Sequence, residues 1–145
     1  MSLLRYMLNM YTIKEIALMR EKCKRARLEG SERLDFHSDA ELQKICNGIG
    51  PEFFPKWARK AVTALHPTLA PAAFIHDVEY EESDGSLSGF TAANDRFKRN
   101  GYKLAKAAFG WYDIRRYAVM NQARRFGNLC QAGGWLAWMK GEKKK

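Results

Sequence analysis

The strongest candidate for chemistry in this chain is the pentad His76-Asp77-Val78-Glu79-Tyr80, which lies on a predicted helix. Residues i and i+4 share one face of a helix, so His76 and Tyr80 point in the same direction, whereas Asp77 is rotated by about 100°. Imidazole is a general base near neutral pH, and a carboxylate is a ligand for hard cations. One helix can therefore aim a base and a metal ligand at different parts of the same cleft.

Two further segments could complete such a site. Residues 47–51, Asn-Gly-Ile-Gly-Pro, are predicted to form a loop in which backbone carbonyls can turn inward, because two glycines and a proline prevent helical continuation. The next long helix carries Asn94 and Asp95, and antiparallel packing across a short turn could bring Asp95 against the far side of the His76 ring. A carboxylate there would fix the imidazole tautomer and stabilise the imidazolium.

The charge of the chain is unevenly distributed. There are 25 Lys and Arg residues against 16 Asp and Glu residues, a formal net charge of +9, which favours polyanionic partners. Residues 76–84 nevertheless contain five carboxylates and no Lys or Arg. Carboxylates near a helix C-terminus oppose the helix dipole, so a bound cation or a facing basic side chain would relieve a cost. Calcium suits this role because it accepts carboxylate and backbone carbonyl oxygens in flexible geometry.

Taken together, these motifs resemble those of phospholipase A2, particularly its compact bacterial and viral forms. The resemblance covers about residues 46–108 and rests on the His-Asp-x-x-Tyr pentad, the Gly-x-Gly loop before it and an Asp on the next long helix. It implies an enzyme, a calcium-dependent phospholipid esterase. Such an enzyme hydrolyses the sn-2 ester with a water molecule that histidine activates.

The resemblance also implies roles for individual residues. His76 would be the general base, Asp95 the supporting carboxylate and Tyr80 its hydrogen-bond partner. The implied cofactor is Ca²⁺, and its implied ligands are the side chain of Asp77 and the backbone carbonyls of Cys46, Gly48 and Gly50.

The chain departs from secreted members of that family at their disulfides. Glu79 and Asn94 stand where the two cysteines of one bridge would be, and a polar pair is expected to replace that bridge. Ala72 and Ala73 stand where two other cysteines precede the histidine. The chemistry implied for the site does not depend on these bridges.

The sequence predicts an all-α fold, because Gly and Pro fall between periodic segments rather than inside alternating ones. We expect a single domain over residues 1–145 with about five to six helices, a phospholipase-like core at about 46–108 and a basic tail at 140–145. Two central antiparallel helices would carry the His-Asp and Asp residues of the site. The predicted helices are Thr12–Leu28, Ser38 to before Asn47, Pro55–Leu65, Thr68 or Pro71 to Glu82, Thr91–Phe109 and Tyr112–Phe126, followed by an aromatic turn at Trp135 and Trp138.

The aromatic and basic residues leave the partner open. Phe53, Phe54 and Trp57 follow the glycine loop and could enter the interface of a phospholipid membrane, with nearby basic residues at anionic headgroups. One alternative is a non-enzymatic module that binds nucleic acid or another anionic partner through basic faces of the fifth and sixth helices. Another is a phospholipase-like fold without activity. For most of these residues, a solvated face or a core position is the simpler interpretation.

Cysteine content and hydropathy bear on localisation. Three cysteines cannot all pair within one chain, which favours reducing conditions. No stretch approaches the roughly 20 apolar residues of a membrane span, and the N-terminus lacks the pattern of a signal peptide. The sequence therefore predicts cytoplasmic synthesis without a signal peptide or a transmembrane segment.

Overall fold

The computed structural model describes residues 9–46, 48–49 and 56–143, and within these ranges the chain is helical and contains no strand. The all-α prediction is confirmed. Two 3₁₀ segments, Ser31–Phe36 and Pro67–Leu69, interrupt the series of α-helices. The α-helices are α1 (Ile13–Arg25), α2 (Asp39–Ile45), α3 (Lys56–Leu65), α4 (Ala70–Glu81), α5 (Leu87–Ala108), α6 (Ile114–Gly133) and α7 (Trp135–Lys143).

The first two helices begin at side-chain caps. The Thr12 hydroxyl accepts a hydrogen bond from the backbone of Glu15, whose carboxylate accepts one from the backbone of Thr12, at 3.1 and 2.7 Å. Ser38 caps α2, because its hydroxyl accepts a hydrogen bond from the Glu41 backbone at 3.2 Å. The Glu41 carboxylate, however, lies 3.2 Å from Nδ1 of His37. Ser38 and Glu41 therefore do not form the reciprocal cap that Thr12 and Glu15 form.

The later helix boundaries differ from the predicted ones. Helix α5 starts at Leu87 rather than at Thr91, because the Ser86 hydroxyl accepts from the Gly89 backbone at 3.0 Å and supplies the cap. Helix α6 continues to Gly133 instead of ending near Phe126, and the expected aromatic turn is the helix α7. The described ranges thus contain seven α-helices where five to six were predicted.

Helix α4 lies in the middle of the core, and the side chains from Ala70 to His76 are all buried. It runs antiparallel to α5, as predicted: at the middle of α4 the His76 ring packs on Phe97, and near the end of α4 Tyr80 packs on the earlier Phe90. Helices α5 and α6 form a second antiparallel pair. A Cβ atom on Gly101 of α5 would lie 2.5 Å from that of Ala123 on α6, so the glycine permits their close approach.

Among the described helices, none combines the length and the apolar character that crossing a bilayer requires.

Candidate functional site

The side chains of His76, Tyr80 and Asn94 form a hydrogen-bonded cluster between α4 and α5. Oδ1 of Asn94 lies 2.8 Å from Nε2 of His76, and it also accepts a hydrogen bond from the Tyr80 hydroxyl at 2.8 Å. His76 and Tyr80 can share this one acceptor because they are four residues apart and lie on the same face of α4. The predicted orientation of these two side chains is therefore confirmed.

The predicted position of Asp95 against the His76 ring is wrong. Its carboxylate lies 3.2 Å from Nζ of Lys98 and is 46% exposed, while Asn94 occupies the position next to the imidazole. Adjacent residues on a helix differ by about 100° in direction, so only one of Asn94 and Asp95 can face α4. The group that holds His76 is accordingly a neutral amide and not a carboxylate.

A chain of amide hydrogen bonds fixes the orientation of Asn94. Its Nδ2 group donates to Oε1 of Gln131 at 2.9 Å, and Nε2 of Gln131 donates to the Thr91 hydroxyl at 3.1 Å. With its nitrogen committed as a donor, Asn94 presents its oxygen to the imidazole. Nε2 of His76 therefore carries the proton, and Nδ1 carries the lone pair that can accept one.

His76 is surrounded by aromatic rings and is 9% exposed. The ring centroids of Tyr80 and Phe97 lie 4.4 and 5.3 Å from that of the imidazole. Burial lowers the pKa of His76 to about 4, and the hydrogen bond with Asn94 opposes this effect only in part. The imidazole is therefore neutral at physiological pH.

Asp77 faces the backbone of Gly48 in the glycine loop. Its Oδ2 atom accepts a hydrogen bond from the Gly48 backbone at 3.1 Å. Gly48 has a φ of +81°, in the left-handed region that favours glycine. The hydroxyl of Thr63 accepts from the Ile49 backbone at 2.8 Å, so α3 anchors the loop beside Asp77.

The Cys46 thiol is buried in the core. Its sulfur lies 3.7 Å from the carbonyl oxygen of Phe74, and burial, together with the charge of Asp77, raises the pKa of the thiol well above its usual range. A neutral, buried thiol is a poor metal ligand. The donor expected of Cys46 is its backbone carbonyl. Gly50, the remaining expected ligand, lies outside the described residues.

The hydroxyl of Tyr11 is a feature of this region that the sequence did not indicate. Tyr11 is buried against Phe74, with ring centroids 5.9 Å apart, and its hydroxyl has no hydrogen-bond partner in the described part of the chain. Burial and, next in size, the charge of Asp77 raise its pKa above the usual range. Tyr11 therefore places a buried polar group in the surroundings of Asp77.

The residues expected to bind calcium supply oxygen donors. The Asp77 carboxylate and the backbone carbonyls of Cys46 and Gly48 are hard oxygen donors of the type that Ca²⁺ prefers. Across residues 9–46, 48–49 and 56–143, no cluster of three or more His, Cys, Asp and Glu side chains forms a metal site. The candidate site thus consists of one carboxylate and backbone oxygens.

The expected polar pair between Glu79 and Asn94 is not formed. Oε1 of Glu79 accepts a hydrogen bond from Arg96 at 2.6 Å and lies 3.9 Å from Nε of Arg33, while Asn94 belongs to the His76 cluster. Burial raises the pKa of Glu79 to about 7, although the hydrogen bond and the charge of Arg96 act in the opposite direction. Glu79 joins α4 to α5 and to the first 3₁₀ segment.

Several residues expected to bind anionic partners make contacts within the chain instead. On the predicted basic faces, Arg99 pairs with Glu29 and Arg115 with Asp113, each at 2.7 Å. Lys103 donates to the backbone carbonyl of Arg27. Phe53, Phe54 and the side chain of Trp57, the expected membrane contacts, lie outside the described residues.

Models of known families, curated proteins and solved structures were compared with the chain, and none of them matches it.

Proposed function

We propose that this protein is a calcium-dependent phospholipid esterase that cleaves the sn-2 ester with a water molecule activated by His76. The proposal rests on two neighbouring residues of α4, His76 and Asp77, and on the contacts that each of them makes. Asn94 orients a buried, neutral imidazole, and Asp77, the next residue after that imidazole, faces the backbone of Gly48. A general base and a hard-cation ligand are both needed for this chemistry.

In the proposed mechanism, Nδ1 of His76 takes a proton from water as the water oxygen attacks the carbonyl carbon of the ester. The tetrahedral intermediate then collapses, the C–O bond to the alcohol breaks, and His76 returns the proton to the departing oxygen. Asn94 keeps Nε2 protonated throughout, so the lone pair of the ring stays on Nδ1. The products are a fatty acid and a lysophospholipid, and no covalent intermediate with the protein forms.

Asp77 and the carbonyls of Cys46 and Gly48, with Gly50, would hold the metal ion. When bound, Ca²⁺ supplies a Lewis acid that polarises the ester carbonyl. The protein's own contribution is to hold the loop beside the carboxylate, which it does through the Gly48–Asp77 and Ile49–Thr63 hydrogen bonds.

The proposal is tested by phospholipid hydrolysis in mixed micelles with calcium. His76→Gln should abolish the activity, and Asp77→Asn should remove activity and calcium dependence together. Asp95→Asn is the matched control, because Asp95 neighbours Asn94 on α5 but faces Lys98. We expect its rate to stay within about twofold of wild type, since an exposed ion pair contributes little. A wild type without activity on any phospholipid, or an activity that survives His76→Gln, would refute the proposal.

The alternative, a module that binds nucleic acid, receives less support. Arg96, Arg99 and Arg115, which would form part of its phosphate-binding face, are each paired with a carboxylate of the same chain. Tight binding to duplex DNA that weakens steeply with salt, in a protein without esterase activity, would favour this alternative.

A further inference from the structure

Large apolar side chains are exposed at the turn that joins α5 to α6. Trp111 is 74% exposed, Tyr112 79%, Ile114 82% and Tyr117 53%. We refer to residues 109–117 as the aromatic tip. It lies at the opposite end of α5 from the candidate site, since the 14 residues from Asn94 to Ala108 span about 21 Å of helix. Four large apolar side chains within seven residues form a patch that a soluble surface rarely presents without a partner.

Contacts within the aromatic tip hold these side chains outward. The Tyr117 hydroxyl donates to the backbone carbonyl of Trp111 at 2.6 Å, and the rings of Trp111 and Tyr112 pack edge to face with centroids 5.9 Å apart. The guanidinium of Arg115 lies 4.8 Å from the centre of the Phe109 ring. These contacts give the turn a defined conformation. Its aromatic residues are therefore exposed in the folded protein.

The charges at the tip are predominantly positive. Lys106 lies in the last turn of α5, and Arg115 and Arg116 lie in the first turn of α6. Asp113 is the acidic residue of the tip. Arg115 neutralises its charge through bidentate hydrogen bonds to both carboxylate oxygens, at 3.1 and 2.7 Å. Lys106 and Arg116 leave the surface around the exposed rings cationic.

We propose that the aromatic tip is a docking element for an anionic phospholipid bilayer. Trp111, Tyr112 and Ile114 would enter the boundary between headgroups and acyl chains, with Lys106 and Arg116 at the level of the phosphates. Trp and Tyr are the residues that favour this boundary, and cations beside them gain from the negative surface potential. The tip is a short connection between two helices with its large side chains exposed, which suits insertion into a lipid surface.

This docking element does not rest on the proposed esterase function. It lies about 21 Å along α5 from Asn94, and its charge and exposure would attract an anionic bilayer even if the site had no activity. The two proposals can therefore fail separately. A tip variant should leave hydrolysis of a soluble, short-chain ester unchanged, whereas His76→Gln should leave vesicle binding unchanged.

The first test is co-sedimentation with phosphatidylcholine vesicles with and without about 30% phosphatidylglycerol. Wild type should bind the anionic vesicles, and Trp111→Ser, Tyr112→Ser and Ile114→Ser combined should lower the partition coefficient roughly tenfold or more, because apolar insertion is lost. The matched control replaces Leu65, Leu129 and Leu136, which are exposed elsewhere, with serine. The control should bind like wild type, and helicity and melting temperature should be compared for all variants.

A second measurement locates the inserted residue. Vesicles with brominated acyl chains should quench the tryptophan fluorescence of wild type, and Trp111→Phe should remove most of this quenching while binding persists. Lys106→Gln with Arg116→Gln should weaken binding at low salt and have little effect at high salt. The proposal would be overturned if wild type and the triple serine variant bound vesicles equally, or if Trp111→Phe left the quenching unchanged. It would also be overturned if the tip variants changed self-association of the protein and not its binding to vesicles.

Discussion

Nε2 of His76 lies 2.8 Å from Oδ1 of Asn94, and the partner of this buried imidazole is thus an uncharged amide. An amide can fix the tautomer, because its oxygen accepts the Nε2 proton as well as a carboxylate would. It cannot offset the positive charge that the ring acquires on protonation. The site therefore combines good orientation of the base with a pKa of about 4, because burial lowers the pKa of His76 more than the hydrogen bond with Asn94 raises it.

Asn94→Asp should raise the pKa of His76 toward its ordinary value, because a buried carboxylate favours the imidazolium. If the imidazolium forms during hydrolysis, the rate at neutral pH should rise by about tenfold for the same reason. An NMR titration of the imidazole and a pH–rate profile measure the two effects. Asp95→Asn is the control that should change neither, and an unchanged pKa in Asn94→Asp would contradict the contact.

The pH dependence of stability follows from the same burial. The pKa of His76 is lowered from 6.5 to about 4 on folding, so below pH 6.5 the unfolded chain binds a proton that the native state does not. Stability present above pH 6.5 is therefore lost as the pH falls toward 4. Between pH 7 and pH 5 the loss attributable to His76 should be about 2 kcal/mol.

His37 and Glu79 change the stability with pH in the opposite direction to His76. The contribution of His76 is therefore isolated by comparing wild type with His76→Gln. Burial lowers the pKa of His37, but hydrogen bonds with Glu82 and Glu41 raise it by more, and the pKa of Glu79 is raised to about 7 by burial. Both favour the native state at lower pH, and they titrate in wild type and variant alike. Urea unfolding should show the advantage of wild type over His76→Gln shrinking as pH falls, and parallel curves would refute the assignment.

The sequence predicted the helix with His76 and Tyr80, because the spacing within one helix fixes the direction of both side chains. It did not predict Asn94, because the rotation of α5 had to be known to within one residue. A signal was present: Phe90, Ala93, Phe97 and Leu104 are buried at helical spacing, and Asn94 lies on that stripe whereas Asp95 does not. The contacts of Gln131 and Tyr11 join segments far apart in the chain, and no local pattern indicates them.

Removal of the hydroxyl group should change the free energy of unfolding differently at Tyr11 and at Tyr80. The Tyr80 hydroxyl donates to Asn94, so Tyr80→Phe should cost about 1 kcal/mol of unfolding free energy. The Tyr11 hydroxyl is buried without a partner among the described residues, so Tyr11→Phe should be neutral or stabilising by up to about 1 kcal/mol. Urea unfolding of both variants compares them directly. If Tyr11→Phe destabilises as much as Tyr80→Phe, the Tyr11 hydroxyl has a native partner, such as a buried water.

Calcium should raise the melting temperature of wild type if Asp77 and the loop at Gly48 bind it, because a ligand that binds only the native state stabilises it. Asp77→Asn should remove this shift. Gly48→Ala should remove it too, for a different reason: at a φ of +81° an added Cβ is strained and would lie 2.6 Å from the Thr63 hydroxyl. That hydroxyl accepts from Ile49 and donates to the carbonyl of Arg59, so it cannot move away without losing a hydrogen bond.

Gly133→Ala is the control for the glycine substitution, because nothing lies within 4 Å of the position its Cβ would take. Calorimetry with calcium, magnesium and a chelator separates the effect of Gly48→Ala on the stability of the metal-free protein from its effect on calcium binding. Without metal, the variant should melt somewhat below wild type, since the strain costs about 1–2 kcal/mol. With calcium, the difference should widen, because wild type gains stability that the displaced loop cannot supply. If Gly48→Ala and Asp77→Asn both kept the calcium shift of wild type, the metal would bind elsewhere in the protein.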